Sequence, residues 1–199
     1  MPGTEQAAVH PASGRVDEIL RAACRVVVAQ GSHALRIGSV AREAGVSRTL
    51  VHYYFQTRQE LLRAAFAFAE DRRAEALETD LAELATGAEK AKLALLRTIE
   101  PDLELTPALW NEVWSSLRDD VELGPLVRER YRSWAERVIR LLEVGREDGS
   151  VPSSVDAARA GWRLAALADG LESIRYLGLL DPDEARALLT ECVERELTA

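Results

Sequence analysis

The chain has 199 residues, a mass of 21.9 kDa, 47% apolar residues and 29% charged residues, which suits one folded domain or two small ones and excludes disorder throughout. No apolar run approaches the ~18–20 residues of a membrane span. Residues 1–14 lack the basic and apolar regions of a signal peptide. Cys24 and Cys192 are too few for a disulfide scaffold, so a reducing cytosol is the expected compartment. The formal charge of −8 hides an asymmetry, because residues 1–57 hold six arginines (Arg15, Arg21, Arg25, Arg36, Arg42, Arg48) against four acids (Glu5, Asp17, Glu18, Glu43). That end is +2, and the remainder carries −10. A basic end on an acidic chain points weakly toward nucleic acid.

In chain order, residues 1–13 read as a mobile tail. Arg15–Gln30 spaces Val16, Ile19, Leu20, Ala23 and Val27 as one helical face, stopped by Gly31. Short helices are expected at about 38–44 and 47–54, joined by Gly45. Thr57 and Glu60 form a capping box for a helix from about 58 to 85, broken by Gly87. A helix over about 88–100 ends at Pro101. Helices at about 105–118 and 121–148 follow, then a loop over 149–154. The next helix runs from about 154 or 156 to 177. Asp181-Pro182-Asp183-Glu184 starts the last, with Asp as N-cap and Pro at the first helical position. Nothing alternates with period two for long enough to be a strand. The expected class is all-α, with about nine helices and no internal repeat.

Residues 37–55, IGSVAREAGVSRTLVHYYF, concentrate the functional signal. Val40, Ala41 and Ala44 form a stripe, Gly45 tolerates the positive φ of a tight turn, and Ser47 caps the next helix. Val51 and Phe55 anchor that helix inward, leaving Arg48, Thr49, His52 and Tyr53 on other faces. Two short helices around a glycine turn make a helix-turn-helix, whose second helix enters the major groove. Short polar and planar side chains suit base edges, and donors on the flanks suit phosphates. Ser47 and Thr57 mark helix N-termini where phosphate is favoured, and Arg58 adds charge.

Residues 15–66 resemble the DNA-binding domain of the tetracycline-repressor (TetR) family. The matching residues are the helix Arg15–Gln30 with its Gly31 stop, Val40-Ala41-Arg42-Glu43-Ala44-Gly45-Val46-Ser47, His52-Tyr53-Tyr54-Phe55 and Arg58-Gln59-Glu60-Leu61-Leu62. The resemblance implies a DNA-binding domain over 14–57, completed by 58–66, and a ligand-binding and dimerisation domain within 58–199. It places Arg48, Thr49 and Tyr53 at the major groove. His52 stands where the family usually has Tyr, and Tyr54 where it often has His. The pair looks interchanged, and both would touch phosphate or sugar. Arg36 stands where the family usually has a capping Thr, which exchanges a cap for a charged phosphate contact. Gly38 weakens the same helix by about 1 kcal/mol relative to Ala. His52 is not expected to bind metal, since neither His10 nor His33 has ligand spacing with it.

The remainder looks similar to a subgroup that includes repressors of choline-to-betaine genes, on Pro107-Ala108-Leu109-Trp110, residues 129–134 (ERYRSW) and Leu167-Ala168-Asp169-Gly170-Leu171. Trp110 with Trp114, Trp162 with Asp169, and Trp134 between them would suit a cationic ligand through ring faces and a carboxylate. The same tryptophans equally read as core residues, with Asp169 bonding locally. Leu164, Leu167, Leu171 and Ile174 on one helix and Leu188, Leu189, Val193 and Leu197 on the next would suit a four-helix dimer interface, the family's usual arrangement; burial within one subunit is the alternative.

The expected function is a homodimeric transcriptional regulator, most often a repressor, that binds a palindromic operator in double-stranded DNA and is released by a small molecule. A helical interaction module that has lost DNA binding is the alternative, kept open by the low basic charge of 1–57. No enzyme, cofactor, metal or membrane role is expected. Cys24 has no nearby histidine, and there is no phosphate loop, zinc spacing or H-E-x-x-H.

Overall fold

A computed structural model describes residues 11–100 and 105–198. The helices are α1 (Pro11–Gln30), α2 (Ile37–Ala44), α3 (Arg48–Tyr54), α4 (Arg58–Ala82), α5 (Gly87–Leu96), α6 (Leu105–Ser116), α7 (Leu123–Asp148), α8 (Ala157–Tyr176) and α9 (Pro182–Thr198). A 3-10 turn, Ser32–Ala34, follows α1. Among the described residues there is no strand, so the fold is all-α with nine α-helices. The expected tail over 1–13 lies outside the described residues as far as residue 10, and α1 begins within its last three. Pro101, expected to end α5, also lies outside them.

Backbone packing divides the chain into two units. The first comprises everything up to Glu70 together with Ala108–Leu123, and the second comprises Asp71–Pro107 and Gly124 onward. The first part of α4 packs with α1–α3, in keeping with a DNA-binding domain over 14–57 completed by 58–66, and most of α6 joins the same unit, which the sequence pattern does not indicate. Trp110 of α6 stacks edge-to-face on fully buried Phe66 of α4, centroids 4.8 Å apart. The carboxylate of Glu112 accepts the Ser32 N–H at 2.8 Å, and Arg63 donates to Asp120 at 2.7 Å. No spacing rule links residues so far apart in sequence.

The core of the first unit gathers Ile19, Ala23 and Val27 of α1 with Leu35, Val40, Val51, Phe55, Leu61 and Leu62. Full burial of each large aliphatic side chain contributes about 1.5–3 kcal/mol. Gly31, at φ 79°, gives its N–H to the Val27 carbonyl at 2.7 Å and ends α1.

The second unit packs α5, α8 and α9 together with α7 around Leu95, Val138, Leu142, Leu164 and Leu189. The sequence reading treats Gly87 as a helix breaker; it is the first residue of α5. A Cβ there would lie 2.1 Å from the Gly145 backbone nitrogen, so the α7 backbone leaves no room for a side chain at 87, while a Cβ on Gly145 would meet Val151 at 2.5 Å. Thr86 and Glu89 form a reciprocal capping box at this start, a pattern present in the sequence that the breaker assignment overlooked. Asp148 accepts the Gly87 N–H at 2.7 Å and the Ser150 N–H at 2.9 Å. Asp181 and Glu184 cap α9 reciprocally, with the Glu184 N–H donating at 2.8 Å.

Candidate nucleic-acid interface

The turn between α2 and α3 follows from three residues. Gly45 takes φ 66° as the cap of α2, and the Val46 N–H returns to the Ala41 carbonyl at 2.9 Å. Ser47 then caps α3, its hydroxyl accepting the Leu50 N–H at 3.1 Å. Val51 is fully buried and Phe55 nearly so, which fixes the face that α3 turns inward.

The opposite face is open. Arg48, Thr49 and His52 are exposed, and Tyr53 is 77% exposed, a large aromatic left in water. Tyr54 is half-buried against the core and holds Tyr53 edge-on, centroids 5.1 Å apart. The pair expected to be interchanged therefore has unequal positions, with His52 outward and Tyr54 behind Tyr53. Arg36 is exposed at the start of α2 and makes no side-chain cap, as its residue type implies. The Arg48 guanidinium lies over Gly38. Arg36, Arg42 and Arg48 have no ionic partner among the described residues, while Glu43, an acid on α2, is neutralised by Arg25 at 2.7 Å.

Two flanking positions are engaged within the protein. Thr57 caps α4 by accepting the Glu60 N–H at 3.1 Å, and Glu60 reaches back to the Gln56 N–H at 2.9 Å instead of to Thr57 itself. Arg58 donates from Nε (3.1 Å) and Nη2 (2.8 Å) to the Ser32 carbonyl. Its charge is thus tied to the 3-10 turn, a link that the sequence reading, which missed the turn, had no means of finding.

The residues singled out for ligand binding fall in different units. In the first, Trp110 gives its indole N–H to Glu70 at 3.1 Å and lies 5.8 Å from the half-exposed ring of Trp114. In the second, Trp162 stacks on Tyr131 at 6.2 Å. Burial first, then a hydrogen bond to Asp169 and that residue's charge, hold the Tyr131 phenol well above its usual range. Trp134 is buried, with the Arg73 guanidinium 5.3 Å over its ring. Burial pushes the Cys24 thiol up to about 11, as befits an inert core thiol.

Of the residues read as a dimer face, Leu164, Leu171, Leu189 and Val193 are buried in the second unit's own core, the alternative that the stripes left open, and half-buried Leu167 and Leu197 pack against it. An apolar stripe fixes that a face is covered, not by what. Ile174 and Leu188 stay exposed, together with Leu177 and Leu179 beside them. Among the described residues, no group of three or more His, Cys, Asp or Glu is placed to hold a metal, and no helix is long and apolar enough to cross a membrane.

A capped turn between two short helices, with an open polar and aromatic face on the second, defines a helix-turn-helix regulator. Residues 19–65 match the bacterial regulatory proteins of the tetR family, and residues 88–198 match the C-terminal region of BetI-type transcriptional repressors. The chain belongs to the tetR family of transcriptional regulators, with a BetI-like C-terminal region. It is 25% identical to the HTH-type transcriptional regulator BetI of Vibrio atlanticus, with 92% of each chain covered. It is 24% identical to the fatty acid metabolism regulator protein of Bacillus subtilis, over 72% of this chain and 74% of that one. Among solved structures, a regulator from Saccharomonospora viridis in complex with choline matches with TM-score 0.82 and 25% identity, covering 92% of this chain and 96% of that one. FadR of Bacillus subtilis in complex with stearoyl-CoA shares the fold, with TM-score 0.72, 21% identity, and 90% and 96% covered.

Proposed function

We propose that this regulator is a homodimeric cytosolic repressor whose α3 enters the major groove of a palindromic operator and whose DNA affinity falls when a small molecule binds. The observation that carries the reading is the outward face of α3, where Arg48, Thr49, His52 and Tyr53 are exposed beside Arg36 and Arg42, which have no ionic partner among the described residues. In this reading Arg48, Thr49 and Tyr53 meet bases. Ser47, His52, Arg36 and the Thr57 helix start meet phosphates, and Tyr54 supports Tyr53. Arg58 acts through the 3-10 turn that it holds. Residues 14–57, completed by the start of α4, read DNA, and the region from 58 onward binds ligand and dimerises.

A second copy is the natural cover for Ile174, Leu177, Leu179 and Leu188 on and between α8 and α9. A two-fold dimer also doubles the few base pairs that one α3 reads. For the effector we propose an organic cation. Tyr131, Trp162 and Asp169 in one unit, and Trp110, Trp114 and Glu70 in the other, each combine aromatic rings with a carboxylate. A similar regulator was crystallised with choline. Release is a population shift that requires the ligand to bind the DNA-free state more tightly. The test follows a labelled operator duplex by anisotropy while choline is added, with binding measured separately by calorimetry. Operator affinity is expected to fall by about fivefold or more. Saturated protein with unchanged operator affinity would contradict the reading.

A further inference from the structure

We infer that Gly38 is a specificity-determining positioning residue: the space left by its missing side chain seats the Arg48 guanidinium and fixes the direction from which Arg48 approaches DNA. The inference rests on the proposed role of α3 as the DNA-reading helix.

Gly38 is the second residue of α2, and nothing in its backbone calls for glycine. The glycines with positive φ are Gly31, Gly45, Gly149 and Gly178, and Gly38 is not among them. Glycine in a helix is a poor choice, since alanine loses less chain freedom on folding. The reason therefore lies in the neighbourhood. A Cβ built on Gly38 would meet Arg48 Nε at 3.0 Å, Cζ at 3.1 Å and Nη2 at 3.1 Å, and these are its three nearest neighbours. The excluded volume is thus a side chain, not backbone.

Three near-equal distances also give the orientation. An approach in the guanidinium plane would leave Cζ farther away than the two nitrogens. With all three atoms equidistant, the flat face lies against Gly38. The N–H edges stay clear of this contact, and those edges make the paired hydrogen bonds by which arginine recognises guanine or phosphate.

The seat matters because no bonded partner among the described residues holds this side chain. Arg48 is exposed and has no hydrogen bond or ion pair among the described residues. An exposed arginine with no partner is spread over many rotamers and must be ordered at the moment of binding. Lying with its face over Gly38 narrows that choice beforehand. A Cβ at 38 displaces the guanidinium by only a few tenths of an ångström, which a flexible side chain accommodates without unfolding anything. The expected signature of substitution is altered recognition with intact stability.

The experiment uses the full chain as wild type, Gly38→Ala, Gly38→Leu and Arg48→Ala, and each Gly38 substitution combined with Arg48→Ala. Bound duplexes are selected from a random pool at fixed salt, and melting temperature is recorded for every variant. Arg48→Ala is expected to lose roughly ten- to hundredfold discrimination at one base-pair position. Gly38→Ala should lose part of that discrimination at the same position, roughly threefold, and Gly38→Leu more, with melting temperature unchanged or raised. In the Arg48→Ala background neither Gly38 substitution should matter.

Three results overturn the inference. The first is Gly38 variants that match wild type while Arg48→Ala changes base preference. The second is a loss of affinity in those variants that is even across sequences. The third is the same harm with Arg48 absent, which marks a direct clash with DNA. A different failure, no effect of Arg48→Ala on any duplex, removes the DNA-contact role of Arg48 itself and is distinguishable from all three.

Discussion

Arg36, Arg42 and Arg48, around the turn from α2 to α3, have no ionic partner among the described residues, whereas the second unit binds many of its arginines internally. There Arg97 pairs with Asp80 and Glu100, Arg137 with Glu78, Arg163 with Glu196, and Arg175 with Glu172. The formal charge of −8 counts these cancelling pairs on equal terms with open charge. A phosphate backbone meets only the charges in front of it, within about a Debye length of 8–10 Å at physiological salt. The difference between the two regions is therefore one of pairing more than of composition. Around the turn Arg36, Arg42 and Arg48 have no ionic partner among the described residues while Arg25 neutralises Glu43, and in the second unit pairs such as Arg137–Glu78 and Arg163–Glu196 tie one helix to another.

This contrast can be broken or sharpened by substitution. The largest expected effect is structural. Phe66→Ala removes a fully buried ring that stacks on Trp110 and should cost about 3–5 kcal/mol, read as a lowered denaturation midpoint. Next comes Arg58→Ala, which strips the Ser32 carbonyl of two charged donors and should cost about 1–2 kcal/mol, at the low end for a part-buried site. Arg48→Ala should leave stability within about 0.5 kcal/mol while weakening DNA binding, since the exposed side chain has no hydrogen bond or ion pair among the described residues to lose. If Arg58→Ala and Arg48→Ala behave alike in both measurements, the separation drawn here between a tied and a free arginine is wrong. Ser47→Ala loses the cap of α3 and should cost about 1 kcal/mol.

The smallest effect is a pH dependence confined to the second unit. The Ser150 hydroxyl first, then the Gly87 and Ser150 N–H groups, hold the Asp148 carboxyl below the usual carboxylate range. A depressed folded-state value means that the ionised form is the one stabilised. Its contribution is present above the unfolded value of about 4 and is lost as pH falls through the folded value. Asp148→Asn should flatten that part of the acid limb in a stability–pH profile. An unchanged profile would show that the cap carries no net stabilisation.

Local chemistry made much of the fold legible. Gly31, Gly45, Ser47 and Asp181 each act within a few residues of themselves, and each ends or starts a helix where the sequence places it. The capped turn before α3 is of the same kind. What escaped depends on partners distant in the chain. Glu112 reaches the Ser32 N–H across 80 residues, and that contact, with Arg58, secures a 3-10 turn that carries no strong local signal. Gly87 looked like punctuation because its meaning lies in Gly145. The stripes of α8 and α9 showed which sides avoid water, and packing then assigned Leu164, Leu171, Leu189 and Val193 to the unit's own core. Gly38 is a further case: by propensity alone it is a defect, and only its neighbour Arg48 explains it.

The central claim is that the open face of α3 reads DNA as one half of a two-fold pair. Selection of duplexes from a random pool, at a fixed moderate salt concentration because phosphate contacts make affinity salt-dependent, tests it most directly. The account expects a palindrome with half-sites about one helical turn apart, or a multiple of it, and its loss when Thr49 and Tyr53 are both changed to alanine. Folded, dimeric protein that enriches no sequence, with or without cell extract, would contradict it.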